Sequence, residues 1–134
     1  MDTPTVTVAD TGTPYRMEIS DGGHRWFADE PQAVGGGDSA PTPMHLLCSS
    51  LGACTAITLR MYAARKQWPL ESLEVKVTMN PEGKPEDGCA LLVRRITLHG
   101  GLDQEQRSRL LQIANACPTH KILSGSIEID SALI

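Results

Sequence analysis

The stretch PTPMHLLCSSLGACTAITLRMYAARKQWP, residues 41–69, decides the fold. Thr42 is a good N-cap, and Pro43 suits the first helical turn because its missing N–H is not needed there. Nothing then stops a helix until Trp68-Pro69, where the residue before proline is pushed out of the α region. The spacing predicts a helix to about Gln67, roughly 25 residues or about 37 Å. Its first half is apolar or small on every side and carries no charge before Arg60. Such a helix is expected to be buried all round. Ser49, Ser50, Gly52, Ala53 and Ala56 permit close backbone approach. A chain of 134 residues does not easily enclose so long a buried helix, so the sequence points to an obligate dimer with this helix between protomers. The uncharged run Leu46 to Leu59 is itself too short to cross a bilayer.

Working outward, residues 5–9 (TVTVA), 15–20 (YRMEIS) and 24–28 alternate as short strands, and Asp21-Gly22-Gly23 is a hairpin turn. Residues 1–30 therefore read as an N-terminal meander. Residues 31–42 (PQAVGGGDSAPT) form a loop, either a flexible linker or a close-approach loop over a pocket. C-terminal to the long helix, residues 70–79 and 89–99 read as strands around a polar turn. Asp103 caps a second helix, with Gln106 completing a capping box. Leu110, Ile113, Ala114 and Cys117 line its apolar face, and Pro118 is expected to end it. Residues 122–129 read as a last strand. The expected order is βββ-α-ββ-α-β, an α+β fold of antiparallel sheets packed on two main helices. Residues 1–134 are read as one domain, because the meander alone cannot make a core.

Composition narrows the function. Net charge is −4, with no basic block, which argues against nucleic acid or anionic membrane as the main partner. Aromatics are only 4% of the chain, so a base-stacking platform is not expected. The N-terminus has no basic region followed by an apolar run, so a cytoplasmic protein with reduced thiols is expected. No metal constellation, phosphate loop or Ser-His-Asp arrangement is readable. The four cysteines, Cys48, Cys54, Cys89 and Cys117, contain no CxxC pair.

Cys54 and Cys117 stand out, since both lie on apolar faces of the two helices. Cysteines on crossing helices can come close enough to pair, yet buried cysteine is usually inert packing. Reactivity would need a nearby cation, such as an arginine from the N-terminal sheet. His120, three residues after Cys117, either assists thiol ionisation or is a surface residue after a helix end. Cys48 reads as packing, and Cys89, which opens a strand, reads as inert.

The segment from Pro41 through Cys54 to Ala56 resembles the active-site helix of the OsmC/Ohr family, the osmotically inducible and organic hydroperoxide resistance proteins. The residues Leu59 to Lys66, Trp68-Pro69-Leu70 and Gly101 through Cys117-Pro118-Thr119-His120 resemble its OsmC-like branch. The resemblance covers about residues 5–134. It implies an OsmC-like fold, an intertwined homodimer and a thiol peroxidase acting on organic hydroperoxides. Cys54 would be the peroxidatic thiol and Cys117 the resolving one. The resulting disulfide would be recycled by a dithiol such as a lipoyl protein. The resemblance also implies an apolar lining of Leu47, Leu51, Met61, Leu110 and Ile113, and no cofactor. An arginine of the N-terminal region would stabilise the thiolate. Arg16 and Arg25 are the candidates, Arg25 the preferred one. The family's glutamate after the helix-opening proline is missing, since Pro43 is followed by Met44-His45. Asp29, Glu30 or Asp38 could substitute, or His45 as a neutral hydrogen-bonding replacement. Two rival readings stand beside the peroxidase: a redox-sensing or non-catalytic binding module on the same fold, and a structural dimer with inert cysteines.

Overall fold

The computed structural model describes residues 3–134. The chain divides into two compact units, the boundary falling between Leu47 and Cys48. The first unit holds β1 (Thr7–Asp10), β2 (Met17–Ser20) and β3 (Arg25–Ala28), an antiparallel meander in that order. Ile19 pairs with Val8 on one side and Trp26 on the other. The β2–β3 turn closes on Asp21, whose carboxylate accepts the amides of Gly23 (2.9 Å) and His24 (2.6 Å).

The loop after β3 is fastened rather than free. The buried Asp29 carboxylate accepts the Glu30 amide (2.8 Å), the Ser39 amide (3.1 Å) and the Ser39 hydroxyl (2.5 Å). These bonds, the Ser39 hydroxyl foremost, hold its pKa down at about 2. A Cβ on Gly36 would overlap the Glu30 carbonyl, so the close approach there requires glycine. One turn of 3-10 helix (Gln32–Val34) interrupts the loop.

α1 (Pro43–Lys66) starts where the proline placed it. The Thr42 hydroxyl oxygen accepts the His45 amide at 3.3 Å, the expected cap. The second unit is built on α1 from Cys48 onward, together with β4 (Leu70–Met79), β5 (Leu92–Gly100), α2 (Gln104–Ala114) and α3 (Pro118–Leu123). β4 and β5 pair antiparallel, with Leu73 opposite Leu98 and Val75 opposite Ile96. These apolar residues turn one face of the ribbon toward the helices. Leu59 of α1 packs with Leu110 and Ala114 of α2, all fully buried, and Tyr62, Trp68, Leu73, Ile96 and Leu98 surround them. Gly52 brings α1 close to the ribbon, for a Cβ there would lie 3.6 Å from Val77 Cγ2. Arg60 ties α1 to the start of β4 by donating to the Leu70 carbonyl at 2.7 Å.

Three expectations need correction. α1 is not buried all round within one chain. Only the stripe Leu51, Thr55, Leu59 and Ala63 is enclosed, while Ile57 and Met61 are 59% and 62% exposed. At 24 residues, α1 is also apolar and long enough to cross a bilayer, although its buried stripe packs it as a core helix. The second correction concerns the C-terminus. Among the described residues there is no strand at 122–129, and Ile127 and Ile129 lie exposed with no strand beside them. The third concerns Pro118, which begins a helix rather than ending one. α2 stops at Ala114, and Cys117 becomes the N-cap of α3 with Pro118 in its first turn. A proline's fixed φ and missing N–H suit that position as well as they suit a stop. The order is therefore βββ-α-ββ-α-α.

The capping box of α2 forms as read. Asp103 accepts the Gln106 amide at 2.8 Å, and the Gln106 side chain accepts the Asp103 amide at 3.0 Å. Asp103→Ala is expected to cost about 1 kcal/mol in urea unfolding. An unchanged midpoint would mean that water replaces the cap.

Candidate thiol site

Cys54 and Cys117 are brought together at the N-terminus of α3. Both are free thiols, Cys117 buried and Cys54 half-buried. Cys117 Sγ accepts the His120 amide at 3.3 Å, which is what makes it the N-cap. Burial alone would push the Cys54 thiol up. Hydrogen bonds from the Thr119 hydroxyl and amide, the Cys117 thiol and the Thr58 hydroxyl outweigh that, and hold it below its ordinary value of 9.0. Each of these bonds favours the anion, because a sulfur that has lost its proton is the better acceptor. Lowering the pKa of a thiol raises the fraction present as the nucleophile at neutral pH.

Thr119→Val removes one of those donors and keeps the backbone amide. The thiolate fraction of Cys54 grows as pH rises through its pKa, so losing the donor shifts the alkylation profile to higher pH. Iodoacetamide labelling of Cys54 at pH 7 is expected to slow by about tenfold. A profile that does not move would remove Thr119 from the site.

Behind the thiols lies a polar network that the sequence did not disclose. Arg94, on β5, donates from Nη1 to the Thr55 hydroxyl (3.0 Å) and from Nη2 to the Asn115 side-chain oxygen (2.9 Å). Its Nη2 is also 3.2 Å from His120 Nδ1. Thr55 is fully buried, donates to the Leu51 carbonyl at 2.7 Å and lies 3.9 Å from Cys117 Sγ. The signal for Arg94 was its phase. It falls in the register of Leu92, Ile96 and Leu98 and opposite Val77, on the inward face of β5. A charge on the apolar side of an alternating strand marks a buried task.

The remaining sequence candidates lie as follows. Arg25, in the first unit, pairs with Glu18 at 3.5 Å and its side chain is 74% exposed. Arg16 lies over the Phe27 ring at 4.0 Å and donates to Ser39 Oγ at 2.6 Å. Asp29 is taken up by its own loop. His45 Nδ1 is 2.7 Å from the capping Thr42 hydroxyl, so it is a first-turn residue bonded to its cap. The His120 ring meets Arg94, and only its backbone reaches a thiol. Cys89 is exposed and Cys48 half-buried.

A cleft of about 230 Å³ opens in the second unit, lined by Leu51, Ala90, Leu92, Arg94, His120, Leu123 and Ser124. Of the lining expected from the resemblance, only Leu51 is on this cleft. Leu110 belongs to the core, and Met61 faces outward.

Fold and site together define a protein of adjacent free thiols on an α+β scaffold of antiparallel sheets and helices. The chain belongs to the OsmC-like protein family, whose model it matches over residues 35–132. No curated protein sequence matches it. Its fold is similar to that of an OsmC-like protein from Mycoplasma pneumoniae (TM-score 0.75, 20% identity, covering 92% of this chain and 89% of that one). It is also similar to an organic hydroperoxide resistance protein OsmC from Legionella pneumophila (TM-score 0.61, 24% identity, covering 93% and 91%). The organic hydroperoxide resistance protein OhrB of Bacillus subtilis is comparable (TM-score 0.64, 23% identity, covering 92% of each chain).

Proposed function

We propose that the protein is a thiol-dependent peroxidase that reduces organic hydroperoxides, with Cys54 as the attacking thiol and Cys117 as the resolving one. The observation that carries this reading is the meeting of the two free thiols at the start of α3, where the Thr119, Cys117 and Thr58 groups around Cys54 outweigh its burial and favour its anion. The names of the Legionella and Bacillus relatives point the same way. In the first step the Cys54 thiolate attacks the terminal peroxide oxygen. The O–O bond breaks, an alkoxide leaves and takes up a proton, and Cys54 becomes a sulfenic acid. The Cys117 thiol then attacks that sulfur, water departs, and a disulfide forms. A dithiol, such as that of a lipoyl protein, reduces the disulfide by exchange and is itself oxidised. Arg25 is kept as the candidate activating cation, and Arg25→Met belongs in the same assay. The working assembly is a homodimer, a reading supported by the exposed apolar residues of α1.

A redox-sensing or non-catalytic binding module is the second reading. What favours it is that the first turn of α1 carries no acid and that Arg94 bonds Thr55 rather than a thiol. Consumption of cumene hydroperoxide with excess dithiothreitol separates the two. The peroxidase reading requires sustained turnover and a Cys54–Cys117 disulfide in the mass map of the oxidised protein. Peroxide left unconsumed, with both thiols still free, would sink it.

A further inference from the structure

We propose that the cleft beside Arg94 and His120 is a binding site for a small organic monocarboxylate. The first ground is charge. Arg94 is half-buried on the inward face of β5, and its partners, Thr55, Asn115 and His120, are all neutral acceptors. Among the described residues no carboxylate forms an ion pair with it. A guanidinium held partly out of water without a counter-charge favours an anion that enters.

The second ground is donor arithmetic. A guanidinium has five N–H groups. Both on Nη2 are used, by Asn115 and His120, and one on Nη1 goes to Thr55. The Nε–H and the second Nη1–H have no partner among the described residues. With Nδ1 accepting from Arg94, the His120 ring carries its proton on Nε2, which adds a donor on the cleft wall. The free Nε–H and Nη1–H lie on different edges of the guanidinium, so one carboxylate oxygen takes an Arg94 donor and the other takes the His120 Nε2–H.

The third ground is the rest of the wall. Leu51, Leu92 and Leu123 are apolar, so the space beyond the anion suits a hydrocarbon tail rather than a phosphate or an inorganic ion. A cleft of about 230 Å³ holds roughly eight water-sized groups at about 30 Å³ each. Hexanoate is of that size. The thiols do not supply the missing charge directly, because Arg94 reaches Cys117 only through intervening residues, Thr55 and His120.

The test is calorimetric titration of the reduced wild-type protein, without peroxide, with hexanoate, hexanol and hexylamine. It therefore stands or falls separately from peroxidase turnover. Hexanoate is expected to bind about tenfold or more tightly than either neutral or cationic analogue. Arg94→Met should weaken hexanoate by about the same factor, with hexanol unaffected. Because Arg94→Met removes a buried partner of Thr55, Ala90→Phe serves as the second variant. It fills the cleft from an exposed position and leaves the polar network in place, and it should abolish hexanoate binding. Equal binding of hexanoate and hexanol, no binding of hexanoate at millimolar concentration, or undiminished affinity in Ala90→Phe would each overturn the proposal.

Discussion

Replacing Cys54 by serine is expected to reduce hydroperoxide consumption by about 10³-fold or more. The hydroxyl is close in size to the thiol, and the Thr119 and Thr58 donors around it stay in place, so the fold should survive. What is lost is the nucleophile, since a serine hydroxyl stays protonated without an adjacent base, and the groups that bond Cys54 among the described residues, Thr119, Cys117 and Thr58, include none. Cys117→Ser has a different signature. Serine is itself a good N-cap, so its oxygen can accept the His120 amide that Cys117 Sγ accepts at 3.3 Å, and α3 should keep its start. The first turnover should then proceed at the wild-type rate. No disulfide can form, and Cys54 should accumulate as an adduct carrying one extra oxygen in the intact mass. Cys89 is exposed and would react in any thiol assay, so both variants belong in a Cys89→Ser background. Equal rates in Cys54→Ser and the parent would make the paired thiols inert packing, whatever family the chain belongs to.

How much of this could be read in advance depended on how local the physics was. The start of α1 at Thr42-Pro43 and the capping box of Asp103 and Gln106 are each settled within four residues. All of them formed as read. The β1–β2–β3 meander followed from alternation and the Asp21 turn, with strand ends shifted by one or two residues. Pro118 was ambiguous because proline favours both a helix stop and a helix start. Cys117 continued the apolar series of Leu110, Ile113 and Ala114, so the chain read as one helix, whereas α2 ends at Ala114. That single misreading concealed the feature that organises the site, since α3 supplies Thr119 to Cys54 and His120 to Cys117. Thr58 was within reach of sequence reasoning, being four residues from Cys54 on the same helix face. Arg94 was legible only in phase, as a charge among Leu92, Ile96 and Leu98. Its partners Thr55, Asn115 and His120 come from three separate parts of the chain. No pattern along one segment reports such a meeting.

The largest stability effect should come from Leu59→Ala. Leu59 is fully buried against Leu110 and Ala114, both also fully buried, and is ringed by Tyr62, Leu73 and Ile96. Removing its side chain leaves a cavity between α1, α2 and the β4–β5 ribbon, and the cost should be about 2–5 kcal/mol. A domain of ordinary stability has about 5–15 kcal/mol to lose, and the melting temperature should fall by about 7–18 °C. A change below about 1 kcal/mol would mean that this core is not the one that holds the chain together. Met61→Ala, two residues along the same helix, gives the contrasting measurement. In the single chain Met61 is 62% exposed, and its truncation should cost no more than about 0.5 kcal/mol if that surface meets water. If a second copy covers it, the same truncation removes buried apolar area. The loss should then exceed about 1 kcal/mol and deepen as protein concentration falls, because dissociation precedes unfolding. The two substitutions thus separate what α1 does within one chain from what its outer face does between chains.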